Sequence, residues 1–263
     1  ALLCTQKPSV KITILGSGTS QGVPVIACHC DVCSSDDTHD KRLRSSVLIQ
    51  TENTSVVVDA GPDFRQQMLR ARVNTLDAIL ITHTHKDHIA GLDDVRSYNY
   101  LSGKAMKVYA SLSDQDEIKQ EFRYAFAENP YPGVPEIELM ELTTNDFHIG
   151  KLHIQPLLLM HMRLQIFGFR IGDFAYLTDV NFIPEDSMKK LHGIHTLVID
   201  ALRKKPHPSH FNLEQAISVA QHLQPERTFF THISHLMGRH MDVQNELPEK
   251  MWLAYDGLEI EMP

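Results

Sequence analysis

Three imidazoles and one carboxylate fall within six positions of this chain, in the segment His83-Thr84-His85-Lys86-Asp87-His88. The residues just before it, Ala78-Ile79-Leu80-Ile81-Thr82, are apolar and rich in β-branched side chains, which predicts a buried strand. The cluster therefore follows the carboxyl end of a strand, where α/β proteins build their sites. A solvated, histidine-rich turn is the alternative, but such a turn does not need a buried strand to position it. We predict a metal site on this loop, with room for two adjacent cations.

A second cluster is made of cysteine. The segment Cys28-His29-Cys30-Asp31-Val32-Cys33 places three thiols within six residues, and Cys4 is the only other cysteine. Neighbours this close do not suit disulfide geometry, and we therefore predict a tetrahedral zinc site that takes its fourth ligand from elsewhere. Three free thiols in a reducing compartment are the alternative. His29 and His39 are both possible fourth ligands on sequence grounds.

Composition limits the class of protein and of partner. The 263 residues suit one large α/β domain that spans residues 1–263 and includes the cysteine-rich loop at 28–33. The net charge of −8, from 33 acidic and 25 basic residues, argues against a nucleic-acid partner. It does not argue against a phosphate substrate, because bound divalent cations reverse the local charge. No apolar stretch reaches the length of a membrane span, and the few, clustered cysteines favour a cytoplasmic protein.

Apolar and alternating runs predict many strands and few helices. The predicted strands are Lys11–Leu15, Ser46–Gln50, Ser55–Asp59, Ala78–Thr82, Lys107–Ala110, Glu138–Leu142, Lys151–Leu159, Gln165–Ile171, Phe174–Leu177, Thr196–Asp200 and Thr228–Thr231. The predicted helices are Asp63–Arg72, Ser113–Phe126, Pro184–Lys190 and Asn212–Gln221, the last with Asn212 as its N-cap and Gln215 as a capping partner. Helices that come singly between groups of strands indicate two mixed β-sheets packed face to face, with helices outside. The segment Asn129–Pro135 is predicted to be an exposed loop; it could overhang a site or meet a second subunit in a homodimer, with a plain connector as the default.

The pattern H-x-H-x-D-H resembles the signature of the metallo-β-lactamase superfamily, whose αββα sandwich has the layout predicted above. In hydrolases of that family, the first two histidines and a later one bind one metal. The Asp-His pair and another later histidine bind a second metal, and a distant aspartate bridges the two. The resemblance implies one set of active-site ligands: His83, His85, Asp87, His88, His161, Asp179 and His232. The last three each follow a predicted strand.

Asp59 ends a predicted strand and matches the first aspartate motif of the same family. The match implies that its carboxylate accepts a hydrogen bond that fixes a loop or the tautomer of a metal ligand. A turn residue before Gly61-Pro62 is the other interpretation, and one side chain could serve both purposes.

The segment Gly16–Pro24 followed by C-x-C-x-x-C resembles the PhnP group of phosphodiesterases. In that group three cysteines and a histidine just after the late metal-binding histidine hold a structural zinc. The resemblance therefore implies that Cys28, Cys30, Cys33 and His235 bind this zinc. In phosphodiesterase branches a histidine just before a helix assists catalysis without binding metal, and His210 matches that position, with His207 as its alternative.

The family resemblance implies a metal-dependent phosphodiesterase that acts on a small or cyclic phosphate, such as a ribosyl or nucleoside cyclic phosphate. The expected nucleophile is a hydroxide shared by two divalent metals, either zinc or manganese, with iron as a further option. Asp87 and His210 are the expected catalytic residues. A thioester hydrolase of the glyoxalase II kind is one rival, although it usually carries a helical C-terminal extension. A transfer-RNA 3′ processing endonuclease is another, which would need an RNA-gripping arm and a more favourable charge.

Overall fold

Two β-sheets of seven strands each form the centre of the fold in the computed structural model, which describes residues 10–262. The first sheet contains β1 (Lys11–Gly16), β2 (Ser46–Thr51), β3 (Thr54–Val58), β4 (Ala78–Leu80), β5 (Met106–Ala110), β6 (Ile137–Glu141) and the last strand of the chain, β14 (Glu259–Glu261). The second contains β7 (Phe147–Ile149), β8 (Leu152–His161), β9 (Leu164–Ile171), β10 (Phe174–Leu177), β11 (Thr196–Asp200), β12 (Arg227–Thr231) and β13 (Met251–Leu253). The predicted single domain includes residues 1–9 and 263, and Cys4 with them, which lie outside the described residues.

Both sheets are mixed, as predicted. In the first, the order is β14-β1-β2-β3-β4-β5-β6, antiparallel from β14 to β3 and parallel from β3 to β6. In the second, the order is β13-β12-β11-β10-β9-β8-β7, parallel from β13 to β10 and antiparallel from there to β7. The parallel strands β3, β4, β10, β11 and β12 therefore present their carboxyl ends to the connecting loops that carry the predicted site residues.

Alternating side chains place the main core between the sheets. Val56 and Val58 of β3 point inward against residues such as Phe169 and Tyr176 from the second sheet, whereas Val57 points outward beneath a helix. Each of these side chains is at most 1% exposed, and burying an apolar side chain of this size contributes about 1.5–3 kcal/mol. Strand β3 is thus buried on both faces, and its successive side chains divide between the core of the sandwich and the layer under the helix.

Helices cover the outer faces, which confirms the predicted sandwich. They are α1 (Phe64–Ala71), α2 (Lys86–Ile89), α3 (Arg96–Ser102), α4 (Leu112–Glu121), α5 (Glu185–Leu191), α6 (Leu213–Leu223) and α7 (His240–Gln244). The predicted capping box of α6 is present: Gln215 N donates to Asn212 Oδ1 at 2.9 Å, and Asn212 N donates to Gln215 Oε1 at 3.0 Å. Among residues 10–262, no helix combines the length and the apolar character needed to cross a bilayer.

Several element predictions need correction. The helix predicted to reach Phe126 ends at Glu121, and Ser111 caps its start by accepting a hydrogen bond from Asp114 N. The strand predicted through Thr82 ends at Leu80, because Thr82 N donates to the carboxylate of Asp59 rather than to a neighbouring strand. The sequence patterns missed the short elements α2, α3, α7, β7, β13 and β14.

The loop predicted at residues 129–135 is exposed through Gly133, whereas Val134 is half-buried and Pro135 is buried. An ideal Cβ at Gly133 would lie 2.8 Å from the hydroxyl of Tyr100, so the loop passes close to α3. Contact of this loop with a second subunit stays a prediction.

The two sheets are joined by a close crossing near the site. Gly18 forms isolated β-bridges with Arg44, just before β2, and with Ile233, just after β12. Gly18 N donates to Leu43 O at 2.8 Å, and Thr19 N donates to Ile233 O at 3.2 Å. The glycine-rich segment is therefore a connection between the sheets, close to the strand ends that carry the site.

Candidate metal centre

The candidate site lies where the carboxyl ends of strands from both sheets face each other. Asp59 and His232 directly follow β3 and β12, Asp179 is the second residue after β10, and all three take the left-handed backbone conformation, with φ of 64°, 58° and 55°. This conformation is uncommon for residues other than glycine and recurs at functional sites. It turns the chain sharply, so that each side chain leaves its strand at the seam between the sheets.

Three imidazoles meet on one side of the seam. His83 Nε2 lies 3.0 Å from His85 Nδ1, and the ring centroids of His85 and His161 are 5.3 Å apart. His83 is fully buried, whereas His85 is exposed. The pKa of His83 is held well below its usual value, first because burial disfavours its charge and then because His88 is a second cation beside it. A neutral imidazole keeps a lone pair available for a metal.

Two carboxylates and two further imidazoles meet on the other side. His88 Nε2 lies 3.1 Å from Asp87 Oδ2 and 3.2 Å from Asp179 Oδ2, and His232 Nδ1 lies 3.1 Å from Asp179 Oδ2. Asp179 belongs to three groups of residues whose possible ligand atoms lie within 4.8 Å of one another: His83, His88 and Asp179; His161, Asp179 and His210; and Asp87, Asp179 and His232. Asp179 therefore occupies the central position between the two sides.

Asp87 and His88 reach the centre from a helix rather than from the predicted loop. The helical turn α2 begins at Lys86, directly after His85, and places Asp87 and His88 in its first turn. His85, which precedes this turn, has an extended backbone, with φ of −57° and ψ of 147°. The motif thus splits into an extended half and a helical half, which lets its side chains approach the centre from two directions.

Asp59 fixes the tautomer of His88. His88 Nδ1 donates to Asp59 Oδ2 at 2.6 Å, and Thr82 N and Oγ1 donate to the same carboxylate at 2.8 Å each. His88 Nε2 is therefore the ring nitrogen left for the centre; it is buried, faces two carboxylates and has no hydrogen-bond partner among the described residues. Burial alone would lower the pKa of His88, but Asp179, Asp59 and Asp87 outweigh it and raise this pKa well above its usual value. The carboxylates thus favour positive charge at Nε2, and a bound cation would supply that charge in place of a proton.

The carboxylates of the centre are held in their ionised form. Burial would raise the pKa of Asp179, but His232 and His88 oppose it and bring this pKa well below its usual range. The pKa of Asp87 is lowered in the same way, because His88 outweighs the effect of burial. Buried imidazoles with ionised carboxylates form a mixed nitrogen and oxygen ligand set, which suits zinc and also manganese or iron.

His210 lies beside this centre and is paired with a residue that the sequence analysis did not single out. His210 Nδ1 lies 2.8 Å from Asp200 Oδ2, and the ring of His210 lies 4.8 Å from the rings of both His161 and His232. Burial raises the pKa of Asp200 to about 7, partly offset by His210. Burial would lower the pKa of His210, but the carboxylate of Asp200 raises it. The contact between the two groups therefore favours the protonated form of His210.

The alternative histidine is less closely placed. The ring of His207 lies 5.2 Å from that of His210, and its Nδ1 contacts Ser209 Oγ at 3.1 Å rather than a carboxylate. Asp200 could have been found from the sequence, since it ends an apolar strand just as Asp59 does.

The four predicted zinc ligands also come together. His235 Nδ1 lies 3.3, 3.4 and 3.5 Å from the sulfur atoms of Cys28, Cys30 and Cys33. These separations approach the edges of about 3.4–3.8 Å that follow from tetrahedral zinc bond lengths. His29 is exposed and outside the group, and His39 instead contacts Asp37 and stacks on His240. The donor set fits zinc.

The cysteines differ in acidity. A hydrogen bond from the backbone of Cys33, opposed by burial and helped by His235, lowers the pKa of Cys30 to about 6. Burial raises the pKa of Cys33 to about 11. Because zinc binds thiolates, a bound ion would keep all three sulfurs deprotonated. His235 lies three residues beyond His232, so this cluster is directly linked to the loop of the main centre.

Comparison with known proteins agrees with this geometry. The family model described as "Beta-lactamase superfamily domain" matches residues 54–233. A crystal structure described as a new diphosphatase from the PhnP family is 41% identical, covers 97% of both chains and superposes with a TM-score of 0.91. Zinc-bound PqqB from Methylobacterium extorquens, at 19% identity, covers 96% of this chain and 100% of its own, with a TM-score of 0.78. At that identity, PqqB shows a shared fold alone.

A curated relative from Porphyromonas gingivalis, named octanoyltransferase, is 42% identical over 95% of this chain but only 51% of its own length. This chain thus spans about half the length of that relative. The relative's name therefore describes a protein about twice as long as this chain. The resemblance predicted from the histidine and cysteine motifs is confirmed by the family model and by the diphosphatase structure. The chain belongs to the metallo-β-lactamase superfamily and, within it, to the PhnP family.

Proposed function

We propose that this protein is a metal-dependent hydrolase that cleaves a phosphodiester bond in a small substrate, using two divalent cations. The observation that carries this proposal is the meeting of seven predicted ligands at one seam, with the His210–Asp200 pair beside them. His83, His85 and His161 would hold one cation. Asp87, His88 and His232 would hold the other, with Asp179 between them.

Two bound cations would neutralise charge on the phosphoryl oxygens and lower the pKa of an attacking water toward neutrality. The chain's own residues determine the rest. Asp59 holds His88 in the tautomer that presents Nε2 to the centre. Asp87, whose carboxylate stays ionised, can accept a hydrogen bond from the attacking water and orient it. The buried seam keeps these charges in a low-dielectric setting, where they act more strongly than in water.

His210 would protonate the leaving oxygen. Its Nδ1 is engaged by Asp200, which leaves Nε2 free to face the centre, and Asp200 raises its pKa. A histidine that is protonated near neutral pH can donate to an alkoxide as the P–O bond breaks, an effect typically worth about 10²–10⁴-fold in rate. An alkoxide needs this proton, because it is too strong a base to leave unprotonated.

One relative supports a phosphorus centre. The PhnP-family structure at 41% identity is described as a diphosphatase. By extension we assign this chain a small phosphorylated substrate, with cyclic ribosyl or nucleoside phosphates as the first candidates. The net charge of −8 disfavours an extended nucleic-acid partner such as precursor transfer RNA.

A thioester hydrolase is the second candidate, because the name of the Porphyromonas gingivalis relative concerns an acyl group. The same metal ligands could serve it. A thiol leaving group, with a pKa of about 8.5, depends much less on a general acid than an alkoxide does. The His210–Asp200 pair therefore favours the phosphodiester.

The test is a substrate panel run with protein reconstituted with zinc or manganese and analysed for metal content. The panel contains bis(4-nitrophenyl) phosphate, 2′,3′-cyclic nucleotides, a ribosyl cyclic phosphate, a glutathione thioester and precursor transfer RNA. We expect hydrolysis of the phosphodiesters, and its loss in Asp87→Ala and Asp179→Ala with the fold intact. Asp116→Ala is the matched control, since its side chain is 74% exposed on α4. Turnover of the thioester alone, or near-normal turnover in either centre variant, would refute the proposal.

A further inference from the structure

Apolar side chains stand exposed beside the centre, on the side of His161. Met162 directly follows His161 and is 56% exposed, and Phe182 lies three residues beyond Asp179 and is 58% exposed. Large apolar side chains this open to water and close to a polar site can contact an apolar part of a ligand. Neither side chain has a part in the core.

One asparagine holds this region together. Asn181 Oδ1 accepts a hydrogen bond from Met162 N at 2.7 Å, and Asn181 Nδ2 donates to Pro208 O at 3.0 Å. The backbone pairs as well, since Met160 N donates to Phe182 O at 3.0 Å and Asn181 N donates to Met160 O at 2.9 Å. The turn after β8, the segment after β10 and the segment before His210 are thus tied into one unit.

This unit borders the leaving-group side of the proposed reaction. The ring of His210 lies 4.8 Å from that of His161, which adjoins Met162, and 5.2 Å from that of His207, which adjoins Pro208. If His210 protonates the leaving oxygen, the group attached to that oxygen would lie close to the segments that this network joins. We name Met162, Phe182 and His207 the leaving-group rim.

We propose that the leaving-group rim binds the planar base of a nucleoside, so that the favoured leaving group is a nucleoside rather than a plain sugar or alkyl alcohol. A benzene ring, a thioether and an imidazole together offer flat, polarisable contacts that match the face of a base. Stacking of a base on an aromatic side chain is sequence-tolerant and measurable by substitution. The inference rests on the proposed function and adds the class of leaving group.

The step balances as a hydrolysis. The oxygen of water bonds to phosphorus, the P–O bond to the nucleoside breaks, and the nucleoside oxygen takes a proton from His210. The other ester group stays on the phosphate, and the proton lost by the attacking water restores the acid on release. No oxidant, reductant or further co-reactant is needed.

The experiment compares two methyl phosphodiesters that differ only in the base. One is esterified to the 5′-oxygen of adenosine and the other to the 5′-oxygen of 1-deoxyribose, so that both leaving groups are alkoxides of similar acidity. We expect a kcat/KM at least tenfold higher for the adenosine diester, with adenosine as a product. In Phe182→Ala this preference should fall to about twofold, through loss on the adenosine diester. Phe182→Trp should retain it.

Leu101→Ala is the matched control, because Leu101 is 79% exposed on α3, away from the strand ends that carry the site. It should leave both rates and their ratio unchanged. Equal rates for the two diesters in the wild-type protein, or an equal loss on both in Phe182→Ala, would overturn the proposal.

Binding of free adenosine separates this inference from the proposed function. We expect metal-loaded protein to bind adenosine in isothermal titration calorimetry, and Phe182→Ala to weaken that binding about tenfold. If neither diester is cleaved but this weakening is found, the leaving-group rim stands and the assigned reaction fails. If adenosine does not bind, or binds Phe182→Ala as well as wild type, the rim assignment is wrong whatever the rates.

Discussion

Replacing Asp200 by asparagine tests the assignment of His210 as the acid with little change in shape. The carboxylate lies 2.8 Å from His210 Nδ1 and is completely buried. The amide oxygen of asparagine can still accept from Nδ1, but the negative charge that raises the pKa of His210 is gone. The variant should therefore keep the orientation of the imidazole and lose much of its proton at neutral pH.

The expected magnitude follows from the hydrogen bond that is altered. Hydrogen bonds to charged groups contribute about 1.5–3 kcal/mol, and about 1.4 kcal/mol corresponds to a factor of ten. The kcat/KM for a diester with an alkyl leaving group should therefore fall about 10- to 150-fold. With a 4-nitrophenyl leaving group, which departs without protonation, the fall should be less than about threefold. The pH optimum for the alkyl substrate should move to lower pH, because the pKa of His210 is no longer raised.

The assay measures kcat/KM for both substrates between pH 5 and pH 9 at fixed metal content. Asp77→Asn is the matched control: its carboxylate accepts from Ser55 N at 2.8 Å at the opposite end of the first sheet, and an amide oxygen can replace it there. Equal losses on the two substrates would show that Asp200 supports the structure of the site rather than the acid. An unchanged alkyl rate would remove His210 from that role altogether.

Other consequences can be checked independently. Asp59→Asn weakens the support of His88 Nδ1, so the affinity of the centre for metal should fall about 10- to 100-fold in competition with a chelator; unchanged affinity would contradict the role of Asp59. Cys30→Ser should release one zinc per chain and lower the melting temperature more than it lowers kcat, with Cys4→Ser as control; full zinc content in Cys30→Ser would exclude a cysteine-built site. Burial, followed by the charge of Arg42, lowers the pKa of His240 to about 4. Between about pH 6.5 and pH 4, this histidine is therefore protonated in the unfolded state but not in the folded state. Stability should therefore fall as the pH drops from about 6.5 to 4, and less steeply in His240→Gln when both are unfolded in urea; identical slopes would refute the assignment.

The sequence predicted the long, periodic elements because their signals are local. The apolar run of β3 indicates a buried strand within a few residues, and the cap at Asn212 indicates in the same way where a helix begins. The strands β13 and β14 have only three residues each and owe their existence to neighbours far along the chain, such as the pairing of Lys11 with Glu261. Three residues show too little hydrophobic pattern to predict a strand when its pairing partners are unknown.

The site was predictable to the extent that its residues share a pattern. The segment from His83 to His88 is recognisable because three histidines and one aspartate fall within six residues. Asp179 and His232 are recognisable because each follows an apolar strand. Asp200 has the same setting but lacks a family counterpart among the motifs, and its meaning depends on contact with a histidine ten residues away. Likewise nothing local in the sequence distinguishes His235 from His29, because the choice depends on how the two sheets are joined.

The glycine at position 18 lies in the segment that bridges those sheets. A Cβ there would lie 2.9 Å from both Cβ and the carbonyl oxygen of Arg42, so any other residue would displace this bridging segment from its place beside Arg42. The first sheet supplies Asp87 and His88, whereas the second supplies Asp179 and His232. The spacing between paired ions would thus be governed by an amino acid that binds neither of them, and selectivity among metals of different radius could be tuned without altering a single ligand. Titration of Gly18→Ala with zinc and with manganese tests this: the affinity for the second ion should be weaker and the affinity for the first unchanged.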